Sequence, residues 1–292
     1  MMLGRKRNPL ANELTVSQKV INFVFLAIVF MLMFLPMWNV IVVSTSTALE
    51  STRAGVILWW RKFSLEGYAY VFSVLKLGRA FFNSMYVSLF STVSQVILSA
   101  LGGYILLQKD LPFQRMMTSF ILLTMMIPGD LTLISIYQVN KQLGLLNSYT
   151  GLIVNGLISA FCILLMRNYF LTVPLSLAES ARLDGASEFR IYWNIFLPLS
   201  IPGLATVSFL EFVGKWNSIM IPATLVTEQR LYTLPLLLKS VIVDSSSISG
   251  IPPAPDNAIM ASIVISSAPL LFVYFFAQRY LLEGITLGAI KE

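Results

Sequence analysis

Histidine is absent from the 292 residues, and cysteine occurs only once, at Cys162. The absence of histidine removes the commonest metal ligand and the commonest general base. A lone cysteine cannot form an internal disulfide, and no CxxC pair exists. Because Cys162 lies inside an apolar run, its simplest interpretation is a small buried side chain. We therefore expect neither a metal site nor a catalytic residue in this chain.

Charged residues are also scarce. Asp, Glu, Lys and Arg make up 12% of the chain, whereas soluble domains contain roughly 25%. Hydrophobic residues make up 57%, and the mean hydropathy is +0.77. A soluble fold of this size could not bury so much apolar surface, so the expected solvent is a lipid bilayer. The net charge of +6 comes from basic residues at the ends of apolar runs, so we expect no nucleic-acid partner.

Six apolar segments reach the length of about 20 residues that a helix needs to cross the hydrocarbon core. They are residues 20–44, 80–107, 116–137, 150–170, 201–226 and 258–281. Pro128-Gly129 breaks the third segment. The sequence therefore predicts an all-α membrane protein with six transmembrane helices. Its parts are an N-terminal tail (1–19), a transmembrane domain (20–281) and a C-terminal tail (282–292).

Basic residues set the expected orientation. Arg5, Lys6 and Arg7 precede the first apolar run, which is too long for a signal peptide. The run therefore predicts an uncleaved anchor with a cytoplasmic N-terminus, and six spans return the C-terminus to the same side. The remaining Lys and Arg residues show a modest inward bias. On this topology, residues 45–79 and 227–257 form long outside loops, and residues 171–200 form an inside loop.

The inside loop has the pattern of two short helices joined by a tight turn. Ser176 and Glu179 have the spacing of a capping box, which predicts a helix start. Gly185 follows that helix as a C-cap. A second helix carries Phe189, Trp193 and Phe196 on one predicted face, and Leu197-Pro198 is expected to end it. The loop is either an amphipathic segment on the membrane surface or a docking element for a partner protein.

One motif in this loop resembles a known family. Glu179-Ser180-Ala181, Gly185 and Ile195-Phe196-Leu197-Pro198 resemble the EAA motif of bacterial ABC importer permeases, with Ser180 replacing the usual alanine. The resemblance extends to four further segments, which look like those of maltose-type carbohydrate importers. They are residues 63–68, 142–148, 284–291 and Trp216-Asn217 with Pro222. Residues 63–68 most resemble the branch of these importers that handles oligosaccharides from complex polysaccharides.

This resemblance implies the type I permease fold, with a cytoplasmic coupling helix that docks on an ATPase. The implied coupling residues are Ser176, Glu179, Ala181, Asp184, Gly185, Ala186, Ile195, Leu197 and Pro198. It also implies a bacterial inner-membrane complex with a second homologous permease, two ATPase subunits and a solute-binding protein. The chain has no GxxxxGK[ST] motif, so the ATPase subunits would bind ATP and magnesium, and this chain would hold no cofactor. The expected substrate is a carbohydrate, with an alginate or other uronate oligosaccharide as a candidate.

A second group of polar and aromatic residues suits a substrate path. Its members are Asp130, Tyr137, Glu211, Lys215, Trp216 and Asn217. Ionisable groups inside a span are costly and commonly face a cavity or a partner, while rings can stack on sugars and amides can bond to hydroxyls. Each has a simpler alternative: Asp130 as a helix cap, Glu211 and Lys215 as an ion pair, and the rings as membrane-interface anchors.

Two other functions remain as alternatives. An ion-coupled secondary transporter would need internal repeats and intramembrane ionisable residues, for which Asp130, Glu211 and Lys215 give a thin basis. A membrane-embedded enzyme would need a catalytic constellation, and no such group of residues is found. The preferred interpretation is an importer permease that works by alternating access.

Overall fold

The computed structural model describes residues 15–75, 77–108, 110–243 and 254–289, without the side chains of residues 130, 243 and 282–289. Residues 1–14 and 290–292 of the two predicted tails lie outside this description, as do residues 244–253 of the predicted second outside loop. The described chain is almost entirely helical. Its only β-pairing is a bridge between Ser46 and Phe63.

The helices of the first half of the chain are α1 (Val16–Ser44), α2 (Ala48–Ser51), α3 (Glu66–Ser73), α4 (Leu77–Ile105), α5 (Gln114–Met125), α6 (Leu133–Gln142) and α7 (Tyr149–Val154). The second half contains α8 (Ala160–Phe170), α9 (Leu175–Leu183), α10 (Glu188–Ile191), α11 (Leu197–Leu199), α12 (Ile201–Trp216), α13 (Met220–Leu225), α14 (Leu234–Val243) and α15 (Asp256–Ala289). A π turn (Tyr192–Phe196) joins α10 to α11, and two 3₁₀ turns lie at Gly129–Thr132 and Gln229–Leu231.

Three described helices are long and apolar enough to cross a membrane: α1, α4 and the Asp256–Leu281 part of α15. They correspond to the first, second and sixth predicted spans. Two bent helix pairs raise the number of candidate spans to as many as five. The predicted break in the third span is confirmed, because α5 and α6 lie on either side of Pro128-Gly129. The fourth and fifth predicted spans differ from the expectation of continuous helices, because each consists of two shorter helices.

Each interrupted span is broken at a proline or a glycine. Pro128 follows the end of α5, and Pro222 lies just after the break between α12 and α13. A proline cannot donate the helical hydrogen bond and its ring crowds the carbonyl four residues earlier. Between α7 and α8, Gly156 adopts a positive φ of 89°, and Ser159 accepts a hydrogen bond from the amide of Cys162 as the cap of α8. The breaks are therefore encoded locally.

The described chain divides into two compact units. The first contains the chain through Ala69 together with Pro255–Val264. Inside it, the Asn257 side chain donates to the Ser46 carbonyl (3.0 Å) and to the Glu66 carboxylate (3.4 Å). These bonds join the start of α15 to the segment that follows α1.

The second unit contains Tyr70–Ala254 and the rest of α15. In its centre, α4 packs against α8 and α12. Gly103 lies where α4 meets α8, and a Cβ atom there would lie 2.8 Å from the backbone nitrogen of Arg167. A Cβ atom on the neighbouring Gly102 would meet only the Ile163 side chain, at 3.4 Å. The two backbones approach closely at Gly103 because it has no side chain.

We expect Gly103→Ala to destabilise the protein by roughly 1–3 kcal/mol, because a backbone atom cannot yield to the added methyl group. Thermal unfolding of the detergent-solubilised protein would show a lower midpoint. Gly102→Ala is the matched control and should leave the midpoint unchanged or raise it, since alanine favours a helix. Equal midpoints for the two variants would contradict the close approach of α4 and α8.

Candidate functional site

The segment 175–199 forms two helices joined by a tight glycine turn, which we call the helix pair. At the end of α9, the amide of Gly185 donates to the Arg182 carbonyl (3.0 Å) and the amide of Ala186 donates to the Ala181 carbonyl (2.9 Å). Gly185 has a φ of 81°. These two bonds and this φ define a Schellman C-cap. The predicted glycine corner is confirmed.

The start of α9 differs from the sequence prediction. The cap residue is Pro174, which makes no side-chain capping bond, and Ser176 lies inside the helix. The predicted capping box between Ser176 and Glu179 is therefore wrong. Proline already holds the φ near −60° that a helix start requires (Pro174 has −59°), so the helix begins at Leu175, before Ser176 can act as a cap.

The second helix of the pair extends further than predicted. It starts at Glu188, passes through Pro198 and ends at Leu199, with a 78° bend before α12. The helix therefore ends one residue after the predicted Leu197-Pro198. In an α-helix the proline ring would clash with the carbonyl four residues earlier. The turn directly before Pro198 is instead a wider π turn, Tyr192–Phe196, and the chain continues as a helix through the proline.

The π turn also changes which aromatic rings share a face. Phe189 and Trp193 stack with a centroid distance of 6.3 Å and an interplanar angle of 19°, and both are exposed. Phe196 is instead only 2% exposed. A π turn contains more residues than an α turn, so Phe196 rotates away from the other two rings. The prediction of one face for all three rings is wrong.

Four aromatic rings connect the helix pair to the spans, and we call them the four-ring cluster. Its members are Tyr104 at the end of α4, Phe170 at the end of α8, and Tyr192 and Phe196 of the helix pair. The Tyr104 ring lies 5.0 Å from Phe196 and 5.2 Å from Tyr192 between centroids. Phe170 meets Phe196 edge to face at 5.7 Å and 85°. Such pairs add about 0.5–1.5 kcal/mol each beyond their buried area.

A polar network lies beside the cluster. Arg182 of α9 forms an ion pair with Glu188 (Nε to Oε1, 2.6 Å) and donates to the Gln108 side-chain oxygen (3.2 Å). Glu188 also accepts from the Tyr104 hydroxyl (2.6 Å) and from Gln108 (3.3 Å). The pKa of Glu188 is lowered, and hydrogen bonds from Arg182 are the largest cause. The lowered pKa keeps this carboxylate ionised. The network joins both helices of the pair to the end of α4.

The predicted coupling residues fall into two groups. Those at the surface are Ser176, Glu179, Asp184, Gly185 and Pro198. Those partly buried against the core are Ala181, Ala186, Ile195 and Leu197. A cavity of about 390 Å³ next to the polar network has five charged residues in its lining: Asp110, Arg167, Glu179, Arg182 and Glu188. The motif therefore presents a charged, concave surface on an apolar base.

The described residues of the predicted substrate path have different hydrogen-bond partners. Glu211 and Lys215 make no ion pair within the described part of the chain. The Cys162 thiol donates to the Glu211 carboxylate (2.7 Å), and the Lys215 ammonium donates to the Gly156 carbonyl (3.0 Å). The alternative of a Glu211–Lys215 pair is therefore wrong, because the break between α7 and α8 leaves a carbonyl that Lys215 satisfies.

The remaining path residues have different environments. Trp216 is 2% exposed, and its indole donates to the Ser266 carbonyl (3.1 Å), so its ring is not available to stack on a sugar in this conformation. Asn217 is exposed, but its amide donates to a carbonyl of its own helix. Tyr137 is 39% exposed. Asp130 lies in the 3₁₀ turn Gly129–Thr132, and its side chain lies outside the described residues.

Residues 95–286 match the family described as the binding-protein-dependent transport system inner membrane component. The chain belongs to this family. The matched range contains the helix pair, the four-ring cluster and the polar network. This family member is therefore a multi-pass inner-membrane permease component of a transport system.

Two relatives of this chain are permease proteins of carbohydrate transport systems. The chain is 34% identical over 275 residues to the polygalacturonan/rhamnogalacturonan transport system permease protein YtcP of Bacillus subtilis (strain 168), covering 90% of this chain and 96% of that protein. It is 28% identical over 294 residues to the arabinooligosaccharides transport system permease protein AraQ of Halalkalibacterium halodurans, covering 99% and 100%.

One solved structure is similar to this chain, with 26% identity and a TM-score of 0.82. It is a chain of a bacterial ABC transporter involved in the import of the acidic polysaccharide alginate. The match covers 92% of this permease and 99% of that chain. The fold class expected from the motif, an all-helical ABC importer permease, is confirmed.

Sequence reasoning missed three side chains that hold the helix pair in place: Tyr104, Gln108 and Phe170. Tyr104 lies in the last turn of α4, and Gln108 follows three residues after the helix ends. Nothing local to the sequence pairs Tyr104 with Glu188, which lies 84 residues further along the chain. That contact becomes visible only when α4 and the helix pair are folded together.

We expect Glu188→Ala to loosen the helix pair from α4, because three donors lose their shared carboxylate. Amide hydrogen exchange in the end of α9 and in α10 should rise roughly fivefold, the effect of losing about 1 kcal/mol at a partly exposed ion pair. Glu179→Ala is the matched control, since it removes an equal charge from the lining of the same cavity without a described hydrogen bond. Similar exchange in both variants would rule out the network as a tether.

Proposed function

We propose that this permease carries an oligosaccharide across the bacterial inner membrane by alternating access, driven by ATP hydrolysis in partner subunits. The helix pair would receive the movement of an ATPase subunit and pass it to the spans. Glu179, Asp184 and Gly185 would lie at that contact, because they are exposed around the turn of the pair.

The observation that carries this proposal is the shared core. Ala178, Ile191, Tyr192 and Phe196 of the helix pair are each at most 4% exposed. They belong to one buried cluster with residues of three spans, among them Tyr104, Cys162, Met166, Phe170 and Val207 of α4, α8 and α12. A close-packed core deforms little under load. Force on the helix pair would therefore move these three helices as one body.

The family description supports dependence on a solute-binding protein. A second homologous permease and two ATPase subunits complete the assembly that we propose. The ATPase subunits would bind ATP and magnesium. The N- and C-termini and the helix pair would face the cytoplasm.

The relatives support a carbohydrate as the substrate. YtcP is named for polygalacturonan and rhamnogalacturonan, AraQ for arabinooligosaccharides, and the similar solved structure for alginate. We propose an oligosaccharide for this chain, with uronate oligosaccharides such as alginate or pectin fragments as the first candidates.

A reconstituted complex tests the coupling role of the helix pair. A Cβ atom at Gly185 would meet nothing within 4 Å, so a substitution there acts only through the positive φ. Gly185→Val should abolish stimulation of ATP hydrolysis by the loaded binding protein, because a β-branched residue strongly disfavours this conformation. Gly185→Asn should keep most of the stimulation, since asparagine tolerates positive φ.

Stimulated hydrolysis and sugar uptake would be measured in the same proteoliposomes. Normal uptake by Gly185→Val would overturn the coupling role of the turn. Uptake by the unsubstituted complex that continues without ATP and follows an ion gradient would overturn the ATP-driven mechanism and favour a secondary transporter.

A further inference from the structure

Two adjoining cavities lie at the start of α4, with volumes of about 680 and about 560 Å³. Both are lined by Arg79 and Arg230. Volumes of roughly 300–1,000 Å³ are typical of small-molecule sites. No coupling or substrate-path residue described above lines either cavity.

The cavities lie at the end of α4 opposite to the helix pair. Arg79 is in the first turn of α4, whereas Tyr104, which contacts Glu188, is in its last turn. A helix of 29 residues is about 43 Å long, which exceeds the hydrocarbon thickness of about 30 Å. If the helix pair faces the ATPase, the cavities face the side from which substrate arrives.

A buried hydrogen-bonded frame fixes the walls of these cavities. The amide of Asn83, which is 1% exposed, donates to the carbonyls of Arg230 (3.0 Å) and Tyr232 (2.9 Å). Its oxygen accepts from the Tyr149 hydroxyl (2.7 Å). The frame therefore holds the backbone of Arg230 against α4 before any ligand binds, which lowers the ordering cost of binding.

The charge of the cavities is positive. Arg79 has no hydrogen bond or ion pair with any described residue. Arg230 pairs with Glu228 through Nε, and none of the described residues accepts from its two terminal amino groups. Glu228 neutralises one of the two guanidinium charges, so one positive charge remains. Phe82 and Tyr149 line the smaller cavity together with these arginines.

We propose that the two cavities form an entry site that binds the carboxylates of an acidic oligosaccharide. A guanidinium binds a carboxylate through two parallel hydrogen bonds, and the rings of Phe82 and Tyr149 offer apolar surface to the sugar faces. This inference rests on the proposed function as an oligosaccharide permease. An acidic side chain of a docked protein also carries a carboxylate, but the Phe82 and Tyr149 rings beside the arginines favour a sugar, whose faces can lie on them.

The test uses the purified complex of permeases and ATPases, without the binding protein. A galacturonic acid trimer and its methyl ester are the two probes, because they differ mainly in charge, and binding is measured by calorimetry. The complex should bind the acid at least about tenfold more tightly than the ester, as expected for a charge-assisted bidentate contact. Arg79→Gln should remove most of this preference, and Arg230→Gln should weaken it too.

Lys141→Gln is the matched control, because it removes a charge on the same predicted side but lines neither cavity. It should leave the preference for the acid unchanged. Equal binding of acid and ester, no binding of the acid, or an equal loss in Lys141→Gln would each overturn the proposal. So would a loss of binding-protein docking in Arg79→Gln while binding of the trimer is kept, since that result assigns the cavities to the protein partner.

The same preparations separate this inference from the proposed function. In proteoliposomes with the binding protein, ATP-driven uptake of a neutral arabinose trimer without any acid preference would overturn only the entry site. Failure of the unsubstituted complex to transport any acidic or neutral oligosaccharide would overturn the proposed function itself.

Discussion

The contact of four aromatic rings, Tyr104, Phe170, Tyr192 and Phe196, is the constraint on which the rest of the site depends. Because the rings come from α4, α8 and the helix pair, none of these elements can shift without separating buried surfaces. Burying an aromatic side chain contributes about 1.5–3 kcal/mol, and such a core packs like a crystal. In the coupling that we propose, the exposed glycine turn transmits force because it stands on this base.

Helix α4 connects the helix pair to the two cavities lined by Arg79 and Arg230. At one end Tyr104 holds Glu188 of the helix pair, and at the other Asn83 holds the backbone of Arg230. Between them, α4 buries small polar residues, including Ser88, Ser91 and Ser99. Small side chains let neighbouring helices approach closely within a membrane. In the mechanism that we propose, a displacement at the helix pair would reach the cavities through this closely packed helix.

The helix breaks show how the fold tolerates irregular backbone at membrane depth. Such backbone requires internal hydrogen-bond partners, because lipid offers none. Lys215 supplies one for the Gly156 carbonyl, while Cys162 satisfies Glu211. These ionisable residues suggested a substrate path or an ion pair in the sequence, yet in the structure each bonds to a different element. Their placement reflects the geometry of the break between α7 and α8.

The sequence by itself determined the class of protein and the glycine corner. Composition required a bilayer, the EAA spacing identified the family, and Gly185 adopts the positive φ that its position predicted, because these are local or compositional properties. Only the tertiary structure decided which side chains Glu188, Trp216 and Phe196 contact. The π turn before Pro198 rotates Phe196 away from Phe189 and Trp193. Tyr104 donates a hydrogen bond to Glu188, which lies 84 residues further along the chain. Such contacts depend on how helices pack, and residue spacing within one helix does not record that packing.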